Sequence, residues 1–99
     1  MNGIVTFTVA TDQLDAASKA KLDAEVNALG FKTTAPCSEG DDMSLPDGTY
    51  VSLVQIQNQE DQLRSLYRAL VAVMRKLDIK GKYFIGMANE PISYICGKL

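Results

Sequence analysis

The chain contains no histidine, so carboxylates, cations, tyrosines and thiols are the side chains that remain for chemistry. This excludes Ser–His–Asp and Cys–His catalysis and His-ligated zinc. Asp12 is the first candidate catalytic residue, because it stands where a predicted strand ends and a predicted helix begins. Its carboxylate can bind a divalent cation such as magnesium, which two copies in a symmetric dimer would share. It can equally cap the helix, as can Thr11, and capping is the more common role.

Arg64 and Arg68 are the second candidate pair, four residues apart in the second predicted helix. At that spacing both lie on one side of the helix, where they can bind phosphates. The alternative is an ordinary solvated helix face, since Glu60 and Asp61 are close in sequence. Tyr50 can stack on an unpaired base if it points outward from the sheet together with Tyr83. Packing in the core is the more common role for such tyrosines.

The remaining candidates point to simpler roles. Glu39, Asp41 and Asp42 lie in an acidic segment whose spacing does not match an EF-hand, which favours a solvated loop. Cys37 and Cys96 are the two cysteines, and they form neither a CxxC pair nor a zinc motif. We predict reduced thiols and a cytoplasmic protein, because the N-terminus does not resemble a signal peptide. No apolar run is long enough for membrane insertion.

Charge is divided unevenly along the chain. The net charge is −2, with −5 in residues 1–49 and +3 in residues 50–99. The protein as a whole therefore does not attract polyanions, but the second half can form a local basic patch. The 99 residues, 46% of them hydrophobic, are sufficient for one domain spanning residues 1–99.

Hydrophobic periodicity predicts the elements that must position these candidates. Strands are predicted at residues 4–10, 31–37, 49–57 and 83–88, with helices at 12–29 and 58–78. Asn58 is the predicted cap of the second helix. Residues 38–48 are predicted to be a polar loop that closes with a Pro46-Asp47-Gly48 turn. Residues 92–96 are predicted to form a short additional strand or an arm.

The order β-α-β-β-α-β predicts a ferredoxin-like α+β fold. Its four-stranded antiparallel sheet carries two helices on one face. The opposite face, which includes Ile4, Thr6 and Thr8, is then left uncovered. Such a face usually contacts a partner, and a second copy of the chain, giving a homodimer, is a common one.

The pattern resembles the GhoS family, the antitoxins of type V toxin–antitoxin systems. The segments that carry the resemblance are TFTVATD, NALGF, LPDGTYVSLVQIQ and QEDQLRSLYRALVAVMRKL. The resemblance implies a ferredoxin-like fold, similar to that of the small CRISPR adaptation nuclease subunit. It also implies an endoribonuclease that destroys the messenger of a small membrane toxin. Asp12 is the residue that transfers by position.

Two functions follow as hypotheses. The first is a GhoS-like antitoxin that binds or cleaves single-stranded RNA, with Asp12 as catalytic and metal-binding residue and with Arg64, Arg68 and Tyr50 holding the RNA. The second is a non-catalytic module, such as a phage or mobile-element inhibitor, that binds a host protein through its open sheet face or its acidic loop.

Overall fold

The computed structural model describes residues 2–11, 15–36 and 42–89, which form a mixed α+β fold. The helices are α1 (Ala16–Ala28) and α2 (Gln59–Lys76). The strands are β1 (Asn2–Ala10), β2 (Thr34–Pro36), β3 (Asp42–Ser44), β4 (Thr49–Gln55) and β5 (Lys82–Asn89). The predicted order of elements is confirmed over these ranges, with one additional strand, β3, inside the predicted loop. Residues 92–96 lie outside the described ranges.

Strands β4, β1 and β5 form a three-stranded antiparallel sheet with β1 in the centre. Alternate side chains of a strand point to opposite faces, so the register of β1 assigns both faces. Phe7 lies opposite Tyr50 on β4 and Ile85 on β5, and all three point to the same face. The order is consistent with a ferredoxin-like arrangement.

The prediction of four strands in one sheet is wrong. Among the described residues 31–36 of the predicted strand 31–37, only Lys32 pairs with the main sheet, through Lys32 N–H to Val51 O at 2.7 Å and Val51 N–H to Lys32 O at 3.0 Å. The chain then forms β2, which pairs with β3 in a separate two-stranded sheet. Pro36 has no N–H group to donate to a ladder, which disfavours a full strand beside β4.

The core lies on one face of the three-stranded sheet. Val5, Phe7 and Val9 of β1 point into it and are buried, as the predicted alternation requires. Both helices pack on this face, and they contribute buried side chains to the same cluster: Leu22, Val26, Leu70 and Met74. Burial of such side chains from water is the main favourable term in folding.

Helix α1 begins later than the sequence predicts. Its N-cap is Asp15, whose Oδ1 accepts a hydrogen bond from Ser18 N–H at 2.7 Å. This bond lowers the pKa of Asp15, because it stabilises the charged carboxylate. The prediction of Thr11 or Asp12 as cap was therefore wrong. Gly30, at φ +93°, follows the end of the helix as predicted.

Helix α2 begins where the sequence predicts. Asn58 is its N-cap, and the Asn58 side chain accepts a hydrogen bond from Asp61 N–H at 3.2 Å. The Gln62 Oε1 accepts from the N–H groups of Gln57 and Asn58 at 2.9 and 3.1 Å, which satisfies donors before the first turn. The cap thereby fixes the start of the helix that carries Arg64 and Arg68.

Candidate nucleic-acid interface

Helix α2 presents three arginines along one side. Arg64, Arg68 and Arg75 are separated by four and seven residues, so at 3.6 residues per turn they fall within about 40° of one another around the axis. The rise of 1.5 Å per residue spreads them over about 16 Å. Among the described residues, Arg68 and Arg75 take part in no ion pair. This row, the arginine track, is the most concentrated positive charge on the helix.

Two tyrosines lie beside the track. The rings of Tyr67 on α2 and Tyr83 on β5 have centroids 6.1 Å apart and an interplanar angle of 31°. Each residue remains 43% exposed, so a face or an edge of the pair is accessible to a ligand. The pKa of Tyr83 is raised by hydrogen bonding with Tyr67, and the nearby Arg75 acts in the opposite direction. The Tyr83 phenol is therefore neutral at pH 7.

Arg64, Arg68 and the two tyrosines line one open groove between α2 and β5. Its volume is about 490 Å³, and Glu60, Leu63, Arg64, Tyr67, Arg68, Tyr83 and Ile85 line it. This volume lies within the range of small-molecule sites. The groove brings together two of the three predicted RNA-binding residues, Arg64 and Arg68, so their placement on one surface agrees with the spacing argument.

Glu60 is the one acidic residue among the described residues that line this groove, and it lies at one end of it. Glu60 Oε1 lies 3.2 Å from the Arg64 guanidinium, one helical turn away. The pair is largely exposed, with 82% of the Glu60 side chain and 57% of the Arg64 side chain accessible. Surface pairs of this kind contribute only about 0–1 kcal/mol, so a ligand phosphate can compete for Arg64.

Tyr50 does not belong to this surface. It is only 1% exposed, its ring stacks on Phe7 with centroids 5.8 Å apart, and its hydroxyl donates to Asp23 Oδ1 at 2.6 Å. Burial raises the pKa of Tyr50, and the hydrogen bond to Asp23 adds to this rise. The condition for base stacking, an outward ring, is not met because Tyr50 shares the inner face with Phe7. The alternative role of Tyr50, packing in the core, is the one observed.

Tyr67 is the residue that sequence reasoning missed. Its helical spacing assigned it to the apolar stripe of α2, yet it lies at the rim of the core and is half exposed. The sequence feature that could have identified Tyr67 is its position three residues after Arg64 and directly before Arg68. Tyr83 also points to the inner face, opposite Val9, yet it remains 43% exposed beside Tyr67.

The predicted catalytic and metal-binding residue, Asp12, lies outside the described residues. The same holds for Cys37, Cys96, Glu39 and Asp41. Over the ranges 2–11, 15–36 and 42–89, no group of three His, Cys, Asp or Glu side chains is arranged to hold a metal ion.

The face of the sheet opposite the core carries exposed apolar side chains. Leu53 on β4 is 67% exposed and Phe84 on β5 is 65% exposed. They lie opposite Ile4 and Thr8 of β1, respectively, and so share the face that the sequence predicted to be uncovered. Exposed apolar surface of this kind marks a candidate contact surface.

Comparisons with protein-family models, with curated proteins and with solved structures found no match to this chain. In the part of the chain described, neither helix combines the length and apolar character needed to cross a membrane.

Proposed function

We propose that this protein binds single-stranded RNA in the groove between α2 and β5. The observation that carries the proposal is the convergence of Arg64, Arg68, Tyr67 and Tyr83 on one open groove. Arginine is the side chain best suited to phosphate, because its planar donors bind two oxygens at once. Tyrosine offers a flat ring on which an unpaired base can stack.

The geometry favours a single strand over a duplex. In a double helix the bases are stacked on one another and closed to a side-chain ring, so an aromatic pair beside a cation row has a partner only where bases are unpaired. The arginine track covers about 16 Å, a length that a few nucleotides of extended chain occupy. The site is thus a short one, in keeping with a protein of this size.

RNA binding is tested by fluorescence anisotropy with a labelled oligouridine at low salt. We expect Arg64→Ala combined with Arg68→Ala to weaken binding at least tenfold, and Tyr67→Ala combined with Tyr83→Ala to weaken it by a similar factor. The matched controls are Lys32→Ala, which removes an exposed cation, and Phe84→Ala, which removes an exposed ring from the opposite face. Equal loss in the controls, or no binding by the wild type, contradicts the proposal.

The GhoS-like antitoxin activity, cleavage of bound RNA, extends this proposal. Its support is the ferredoxin-like order of the main sheet together with the sequence resemblance. Asp12 is the proposed catalytic residue and the proposed ligand of a divalent cation such as magnesium. We expect the wild type to cleave single-stranded RNA in magnesium, and Asp12→Ala to remove cleavage while the melting temperature and RNA affinity are kept. Cleavage by Asp12→Ala at the wild-type rate removes Asp12 from the mechanism.

A second candidate function is a protein-binding module that acts through the uncovered sheet face. The exposure of Leu53 and Phe84 favours it, and the same surface is the proposed contact of a homodimer. We expect Leu53→Ser combined with Phe84→Ser to convert a dimer to a monomer in sedimentation equilibrium without loss of RNA binding. A wild type that is monomeric at high concentration excludes the dimer. RNA binding that is lost in this variant would instead place the RNA on the sheet.

A further inference from the structure

We infer that Glu60 makes the groove selective for guanine at the position next to Arg64. The inference rests on the proposed function, since it names the base that the RNA-binding groove selects. Glu60 is the one carboxylate among the residues that line the groove, and it lies at the end opposite Arg68 along α2. Its side chain is 82% exposed, so its carboxylate is accessible to a ligand.

The chemistry of a carboxylate singles out one base. An ionised carboxylate has two oxygens that only accept hydrogen bonds. Guanine presents two adjacent donors on its Watson–Crick edge, the ring N1–H and the exocyclic N2–H, so it can bind both oxygens. Adenine, cytosine and uracil each place a bare nitrogen or a carbonyl oxygen beside their donor, and that acceptor would face a carboxylate oxygen. In a duplex, acidic side chains accept from the single N4 donor of cytosine, whereas an unpaired guanine exposes both of its Watson–Crick donors.

The positions of Arg64 and Tyr67 support the same assignment. The Arg64 guanidinium lies 3.2 Å from Glu60 Oε1, which retains capacity for a second donor. Because a guanidinium has five N–H donors, Arg64 can contact a phosphate and Glu60 together. Side chains of a helix lean toward its N-terminus, so the Tyr67 ring covers the turn between itself and Glu60. We expect a base stacked on this ring to direct its edge toward the N-terminal end of α2, where Glu60 lines the same groove.

A negative charge at Glu60 also has an ordinary structural role, and the experiment must distinguish that role from guanine binding. It lies in the first turn of α2, where a negative charge interacts favourably with the helix dipole. Asp61 lies in the same turn but lines a different groove, with Val54, Gln62, Ser65, Leu66 and Met87. Asp61→Asn therefore removes the same dipole interaction without touching the RNA groove. Only the guanine function predicts a change in base preference.

The experiment measures affinity for short oligouridine RNAs that carry one central guanosine, inosine, adenosine, cytidine or uridine. We expect guanosine to bind roughly fivefold more tightly than adenosine, cytidine or uridine, at the low end for a two-bond base contact because the site is exposed. Inosine, which lacks the exocyclic amino group, falls between. Glu60→Gln is expected to abolish the preference, so that all five RNAs bind with equal affinity, while Asp61→Asn keeps the preference.

The outcomes separate this inference from the proposed function. Binding of every RNA with equal affinity by the wild type overturns the guanine assignment and leaves RNA binding in place. A guanine preference that survives in Glu60→Gln also overturns it, and assigns the readout to another group such as Arg64. If no RNA binds to the wild type, both the inference and the proposed function fail.

Discussion

Tyr50 and its partner Asp23 connect strand β4 to helix α1 through a charged hydrogen-bond network. The Asp23 carboxylate accepts from the Tyr50 hydroxyl at 2.6 Å and from Lys19 at 2.8 Å. Asp47 lies 4.0 Å from the same lysine. Among the tyrosines with described environments, Tyr50 is thus structural, whereas Tyr67 and Tyr83 keep half their surface for a ligand.

We expect Tyr50→Phe to lower the free energy of unfolding by about 1–2 kcal/mol at pH 7, because a hydrogen bond to a charged acceptor is lost while Lys19 still pairs with Asp23. The pKa of Tyr50 is raised in the folded protein. The stabilisation from its neutral form is therefore present below the unfolded pKa of about 10 and is lost as the pH rises above it. Urea unfolding measured from pH 7 to 11 checks both points. A Tyr50→Phe variant as stable as the wild type at pH 7 would contradict this role.

At the scale of elements, the turn between β3 and β4 fixes the position of β4 beside β1. Gly48 has φ +82°, its carbonyl accepts from Val9 N–H at 2.8 Å, and a Cβ there would lie 2.4 Å from Val9 O. Only glycine combines this conformation with so close an approach. The Pro46-Asp47-Gly48 turn expected from the sequence is confirmed, with Thr49 N–H donating to Pro46 O at 3.0 Å.

We expect Gly48→Ala to destabilise the fold by about 2–4 kcal/mol, since it adds both a strained φ and a steric overlap. Gly30→Ala is the matched control. Gly30 also has a positive φ, of +93°, but its Cβ would meet nothing closer than Ser52 Oγ at 3.6 Å. We expect Gly30→Ala to lower the free energy of unfolding by about 1 kcal/mol. Thermal unfolding of both variants measures the difference, and equal losses would show that the overlap with Val9 relaxes without cost.

Local patterns were sufficient to predict most of the elements. Alternation in β1 and the Asn58 cap of α2 depend on neighbours in sequence, so both were predictable. The position of the fourth strand could not be predicted in this way, because the pairing of residues 31–37 depends on partners that are distant in the sequence. Lys32 bonds to Val51, whereas β2 pairs with β3 in a segment that composition marked as a polar loop.

The candidate site was predictable to the same limited extent. The i,i+4 spacing of Arg64 and Arg68 places them on one side of any helix, and the structure has them in one groove. The tyrosines of the groove could not be predicted from local sequence, because their exposure depends on contacts between distant parts of the chain. Tyr50 and Tyr83 are equivalent in sequence pattern, and only their tertiary contacts separate them. Tyr50 bonds to Asp23 of α1 and stacks on Phe7, whereas Tyr83 contacts Tyr67 and stays 43% exposed.

For the molecule as a whole, RNA affinity should depend on salt despite the net charge of −2. If the three arginines of the track each neutralise one phosphate, the logarithm of affinity should fall with the logarithm of salt concentration with a slope of about −2. We expect Arg68→Ala to reduce the magnitude of this slope by about 0.7 and Lys32→Ala to leave it unchanged. Anisotropy titrations over a series of potassium chloride concentrations measure it. A slope near zero would contradict phosphate binding.

The central claim, that RNA lies between α2 and β5, is tested most directly by backbone and aromatic NMR shifts during titration with a short single-stranded RNA. We expect saturable shift changes at Arg64, Tyr67, Arg68 and Tyr83, with Leu53 and Phe84 on the opposite face unaffected. Changes concentrated on Leu53 and Phe84, or no changes at all, would contradict the claim.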